Sequence, residues 1–257
     1  MATPHRTTRI LLLGGGAFLA LSFAALVASG GSVDDEGPEK RSFRPPGERL
    51  TIAKGDGDID IRPADIDEIE VTRRFSGWAT LGSPEAHWEL RDHTLTLATD
   101  CGPVGRCEAH YEVRVPEDIA LTVEGDSGKI TASGFGTPLH IRSDNGAISA
   151  NDISGRLTLA TDSGELRGTG ITSRRVQADS QNGDVHLSFA RVPDQVRTET
   201  ENGAVEVEVP DTDAVYKVRT ATDSGDVHTG IPKDANSPHA LTVRSESGAI
   251  TLRTAGK

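Results

Sequence analysis

Aromatic residues make up only 4% of this 257-residue chain, with two cysteines and one methionine. So few rings leave little with which to stack nucleobases or sugar faces. Positive charge is also scarce: 27 Lys and Arg stand against 39 Asp and Glu, a formal charge of −12. The first 32 residues hold only Arg6 and Arg9 as charges, so the remainder is more acidic still. An excess of that sign repels phosphate backbones and argues against a nucleic-acid-binding body. With just two cysteines, and eight histidines that show no ligand spacing, no metal site is expected. Cys101 and Cys107 close a short loop, and in an exported chain the expected state is a disulfide that pins a hairpin.

Only one long apolar run exists, Ile10 to Ala28. Arg6 and Arg9 precede it and Asp34, Asp35 and Glu36 follow, which places the N-terminus inside and the body outside. Residues 1–32 are therefore read as a signal peptide or an N-terminal transmembrane anchor, Val27-Ala28-Ser29 leaving cleavage open. No cysteine directly follows the run to carry a lipid. Residues 33–47, charged and bearing Pro38, Pro45 and Pro46, read as a flexible tether. The expected location is the cell membrane, single pass with the C-terminal body extracytoplasmic, or the secreted fraction.

What the chain has in quantity is a turn. Asp126-Ser127-Gly128, Asp144-Asn145-Gly146, Asp162-Ser163-Gly164, Gln181-Asn182-Gly183, Glu201-Asn202-Gly203, Asp223-Ser224-Gly225 and Glu246-Ser247-Gly248 are seven versions of one tripeptide. Their glycines lie 18, 18, 19, 20, 22 and 23 residues apart, a period that marks a repeat architecture. Seven residues before the glycine, and two after it, every copy carries Leu, Val or Ile. The neighbouring columns are polar or no larger than alanine, as in His140, Arg142, Glu165 and Arg219. Alternation of period two on both sides of each turn requires strands with one wet face. Three before the glycine stands a small, mostly hydroxylic column, Gly125, Ser143, Thr161, Ser180, Thr200, Thr222 and Ser245, which is expected to point inward at the corner.

A unit this short cannot bury its apolar face alone, so copies stack at about 4.8 Å per coil and superpose their turns. Glycine at each corner supplies positive φ, and the spacing grows toward the C-terminus as though the coil widened. The expected fold is all-β, a single-stranded parallel β-solenoid (β-helix) of 18–23-residue coils over residues 119–257. Hairpins of an antiparallel sandwich are the competing reading. Residues 48–118 form an irregular N-terminal β section or cap, in which Lys54-Gly55-Asp56-Gly57 resembles a degenerate first turn. Trp78 and Trp88 fall in its non-repeating insertion, as lids over the solenoid end or as a recognition surface.

Two motifs have plain readings. Gly125-Asp126-Ser127-Gly128 matches a serine-protease nucleophile segment, but the triplet recurs at corners and no base is supplied. The acidic column from Asp126 to Glu246 lacks the nonapeptide of calcium-binding rolls and is broken by Gln181.

The turns Ser143-Asp144-Asn145-Gly146-Ala147-Ile148, Thr222-Asp223-Ser224-Gly225-Asp226-Val227 and Ser245-Glu246-Ser247-Gly248-Ala249-Ile250 resemble the bacterial adhesin-like β-strand-repeat family called domain of unknown function 4097. The match runs from Leu50 to Leu252. The resemblance implies a cell-envelope protein with no catalytic residues. Members often begin with a lipoprotein signal, whose cysteine this chain lacks. The expected function is thus non-enzymatic and adhesin-like, without cofactor or metal. Its partners would be the membrane, through the N-terminal segment, and a cell-surface glycan or envelope protein. Alternatives are an envelope-stress or scaffolding role and a carbohydrate-active β-helix, for which Glu165, Asp184 and Asp226 share a column but not a coil.

Overall fold

Period-two alternation yields strands throughout: 22 of them, with no helix among the described residues. The computed structural model describes residues 31–32, 37–81, 85–100 and 104–256. Residues 1–30 of the predicted N-terminal anchor and Cys101 lie outside these residues, as do the side chains of Trp78 and Cys107, while Gly31–Ser32 pairs antiparallel with Ile69–Leu81. The strands form two sheets, one of ten and one of twelve. We call strands that precede a corner glycine leading and those that follow it trailing. Leading strands, such as Leu139–Asn145, build the ten-stranded sheet, and trailing strands, such as Ile148–Asn151, the other.

Register between coils is parallel and in phase. Leu139 pairs with Leu121 and Leu157, and Ile148 with Ile130 and Leu166. Each aliphatic column is thereby buried between the sheets up to the outermost coil of Val218 and Val227, with Leu157, Ile148, Leu166 and Leu241 fully enclosed. This register excludes the antiparallel sandwich for the repeats. Where the trailing strands carry Ala132, Ala150 and Gly168, the volume is filled by Phe135, Ile153 and Ile171 from farther along each coil. A Cβ on Gly168 would meet Ile171 Cδ1 at 2.6 Å.

Corner glycines answer mainly to stacking. Gly57 (φ +99°) and Gly128 (φ +87°) occupy the left-handed region, but Gly146, Gly183, Gly203 and Gly248 do not. All share another constraint: a Cβ on any glycine from Gly128 onward in this column would sit 2.0 to 2.3 Å from the carbonyl oxygen of the glycine stacked beside it. The inward hydroxyls of Thr200, Ser245 and Thr222 donate to those carbonyls, of Gly183, Gly203 and Gly248, at 3.1, 2.9 and 3.1 Å. Turn side chains also bond between coils, as Asn202 Nδ2 does to Asn182 Oδ1 at 3.1 Å.

Three expectations are corrected. The coils do not stack in chain order. Leading strand Ala240–Ser247 lies between Gln195–Asn202 and Lys217–Ser224, so the last coil of the chain is an inner layer. The 22- and 23-residue glycine spacings reflect this, because the connections before Lys217 and Ala240 must skip a layer and return. At the other end Arg49–Lys54 is likewise inserted between Thr94–Asp100 and Ala120–Ser127. Finally, the predicted tether of residues 33–47 contains a strand, Glu39–Phe43, antiparallel to Ile69–Leu81. Its side chains are mostly exposed, so no alternation betrays it. Its backbone pairs the edge that Ile69–Leu81 would otherwise leave open.

Candidate functional site

Both tryptophans are candidates for recognition on sequence grounds. Trp88, on edge strand Glu85–Arg91, is 6% exposed and points between the sheets. It stands edge-on to Tyr111, with ring centroids 6.4 Å apart, whose hydroxyl bonds Thr99 at 2.8 Å. From the opposite sheet comes Arg73, 2% exposed, its guanidinium carbon 3.9 Å from the Phe75 centroid and 4.9 Å from that of Trp88. Glu39 bridges Arg73 at 2.6 Å, and Arg41 lies 5.3 Å over the Trp88 ring. A buried guanidinium is costly unless paired, and here one carboxylate and two ring faces offset part of that cost, while Nε and Nη1 have no hydrogen-bond partner. These residues close the solenoid end, so Trp88 is part of a lid and presents no open ring to a ligand.

Lys54 is a second buried cation. It holds the corner position that hydroxyls occupy elsewhere, beside Gly125, whose missing side chain leaves the room. Its Nζ donates to the carbonyls of Gly57, at 2.6 Å, and Ser127. Burial pushes its pKa below the ordinary lysine value, against the pull of Asp58, Asp56 and Asp126. The degenerate first turn is therefore a true corner, with Lys54 as its internal clasp.

The seven predicted turn glycines all lie in the one stacked column, a structural role. Glu165 and Asp184 are engaged locally, by Arg167 and by the Ala204 N–H at 2.8 Å respectively. Among the described residues no three His, Cys, Asp or Glu side chains converge on a metal-sized space.

The two outer faces differ. On the trailing face most cations are paired: Arg114 with Glu70 (2.8 Å), Arg74 with Glu112, Arg253 with Glu206 and Glu208 (2.5 Å each), and His186 with Glu206 (3.1 Å), while exposed Arg62 has no ion-pair partner among the described residues. Hydrogen bonds from Arg253 and Arg74 hold the Glu206 and Glu112 carboxyls below the ordinary range. On the leading face Arg142 meets Asp162 at 2.9 Å near the corner, Arg197 meets Glu199 at 2.8 Å, and at the starts of the strands Arg174 meets Asp194 at 3.5 Å. Farther from the corners, the outward positions eight and six residues before each glycine carry no carboxylate in any coil, Gly57's included. Arg49, Arg156, Arg175 and Arg219 stand there exposed, without a hydrogen-bond or ion-pair partner among the described residues. Three shallow clefts of about 360, 220 and 270 Å³ follow this strip and share Arg156 and Arg197 where they meet. In sequence, His140 and Arg219 read only as outward polar residues. The signal that could have found the strip is the absence of Asp and Glu from two columns.

A two-sheet parallel solenoid with a stacked glycine corner defines a repeat scaffold. The family model described as Toastrack DUF4097 matches residues 48–253, and the chain belongs to that family. Among solved structures, a putative adhesin from Parabacteroides distasonis aligns with TM-score 0.50 and 12% identity, over 85% of this chain and 98% of that one. A putative adhesin from Bacteroides fragilis aligns with TM-score 0.46 and 10% identity, covering 86% and 98%. A putative lipid binding protein from Parabacteroides distasonis gives TM-score 0.44 and 12% identity, also covering 86% and 98%. No curated protein matches the chain.

Proposed function

We propose that this chain is a non-enzymatic protein of the cell envelope, held outside the membrane through residues 1–32 as a signal or single-pass anchor, that presents the leading face of its solenoid to a partner. The observation that carries this reading is the leading face itself: exposed, regular, and lined by cations that the acidic body leaves unneutralised. Binding by such a face needs no convergent catalytic groups, and Glu165 and Asp184, which could have served an enzyme, are tied to structural partners. The apolar run Ile10 to Ala28 with its charged flanks supports the location. Protease shaving of intact cells tests it: the body is expected to be cleaved from outside. Protection until the membrane is opened contradicts an extracytoplasmic position. Attachment of cells that lack the protein, and its restoration by adding back the full chain, tests the adhesive role.

A scaffolding role is supported by a separate observation. The far end of the solenoid exposes Val215 at 36% and Val227 at 42%, beside the unpaired edges of Lys217–Ser224 and Val227–Thr229. Recovery of one defined envelope protein with the full chain, lost on Val227→Asp, would favour this role over adhesion.

A further inference from the structure

We infer that the strip along the leading face binds one chain of a linear, uronate-bearing polysaccharide, lying across the strands with its carboxylates on successive arginines; this rests on the surface-binding function proposed above and names its ligand. Six side chains define the strip: Arg49, His140, Arg156, Arg175, Arg197 and Arg219. Register sets them in order, since Thr51, Thr122, His140, Thr158, Gln177 and Arg197 are successive partners across the sheet.

The strip crosses eight parallel strands, so at about 4.8 Å per strand it is about 34 Å long. It is only two outward rows wide. Beyond it the next rows bring Glu124, Asp179 and Glu199, and then the acidic corners. A ligand must therefore be narrow, long and anionic. Duplex nucleic acid is too broad, because its phosphates would lie over the acidic rows as well as the basic ones. A membrane needs apolar side chains to insert, and Val215 and Val227, the large hydrophobics exposed among the described residues, lie at the solenoid end. A neutral glycan would find no aromatic face in these clefts, whose linings hold no Phe, Tyr or Trp. A sugar carboxylate suits a guanidinium fork, and Thr51, Thr122, Thr158 and Gln177 supply hydroxyl and amide partners for the sugar's own hydroxyls. One sugar ring is about as long as one strand spacing, which lets the charges keep step with the coils.

The test titrates purified full chain with polygalacturonate, poly(glycerol phosphate), neutral dextran, single-stranded DNA and vesicles rich in phosphatidylserine. Polygalacturonate is expected to bind most tightly and to weaken with added salt. Arg156→Gln with Arg175→Gln should weaken it by about tenfold or more, because both forks are free to engage it. Arg156→Lys with Arg175→Lys should restore part of that loss, and Arg167→Gln on the trailing face should change nothing. Unchanged melting of the glutamine pair shows that the fold is intact. Equal binding to dextran, preference for the phosphate polymer, DNA or vesicles, or indifference to the glutamine pair overturns the inference. If polygalacturonate fails while the chain still restores attachment to cells, only the ligand is wrong. If it binds while cells lacking the protein attach normally, the adhesive role fails and the binding chemistry stands.

Discussion

The two ends of the solenoid face the same difficulty, an open core, and meet it differently. At the N-terminal end, Trp88, Phe75 and Arg73 fill the space between the sheets, and Glu39–Phe43 pairs an edge strand. At the far end there is no lid of this kind among the described residues. The outermost coil instead places Thr220 and Thr229 at positions where inner coils carry mainly aliphatic side chains, beside Val218 and Val227. A terminal repeat with a wetter inner face is a capping solution in its own right. One end is sealed by a lid, the other by polar side chains together with the buried Tyr216 and Ile231 of the outermost coil.

Both ends share the inserted coil, and the largest expected effect breaks that likeness. Truncation after Ser237 removes Leu241, Val243, Ile250 and Leu252, all buried, from an inner layer. Loss should exceed that of any single core truncation, about 2–5 kcal/mol each, and hydrogen exchange should show the Gly225 coil unprotected. Fraying confined to the last residues would contradict the inserted layer.

Next comes the lid. Trp88→Ala should cost about 3–5 kcal/mol by chemical denaturation, whereas Val227→Ala should stay within about 0.5 kcal/mol. Equal costs would mean that the far end is as tightly sealed. A smaller contrast concerns the glycine column. Gly183→Ala forces a Cβ against the Gly164 carbonyl with coils on both sides, and should cost about 1–3 kcal/mol or more. Gly225→Ala meets Gly248 in the same way and adds the strain of a φ of +151°, so it should cost at least as much even though its coil is outermost.

The smallest effect sharpens the description of the sealed end. Burial lowers the Lys54 pKa, so between that value and the ordinary 10.5 the native state holds fewer protons than the unfolded chain. Stability must rise with pH across that interval, and the cost of the buried charge is greatest below it. Melting temperatures should therefore show wild type gaining on Lys54→Met as pH rises above neutrality. A difference that is flat or falling would contradict the buried charge.

The repeat coils were legible because burial writes period two into every copy, and the hydroxyl column because the corner has room only for small side chains. Coil order was not legible. Leu241 and Val218 satisfy the same column equally well, and nothing in either says which layer it joins. Arg73 obscures its strand for a different reason: a charged residue between Val71 and Phe75 on an inward face breaks the alternation that would have extended it. The basic strip was hidden by its spread, with Arg49, Arg156 and Arg175 far apart in sequence and brought to one row only by stacking.

Disulfide trapping tests the inserted coil most directly. Asn202 is in register with Ser247, while Ser224 lies one layer farther, about 9.6 Å away at the strand spacing. Asn202→Cys with Ser247→Cys should cross-link under mild oxidation, and Asn202→Cys with Ser224→Cys should not, because that separation exceeds disulfide reach. Cross-linking of 202 to 224 and not to 247 would show coils stacked in chain order, and the inserted layer would be wrong.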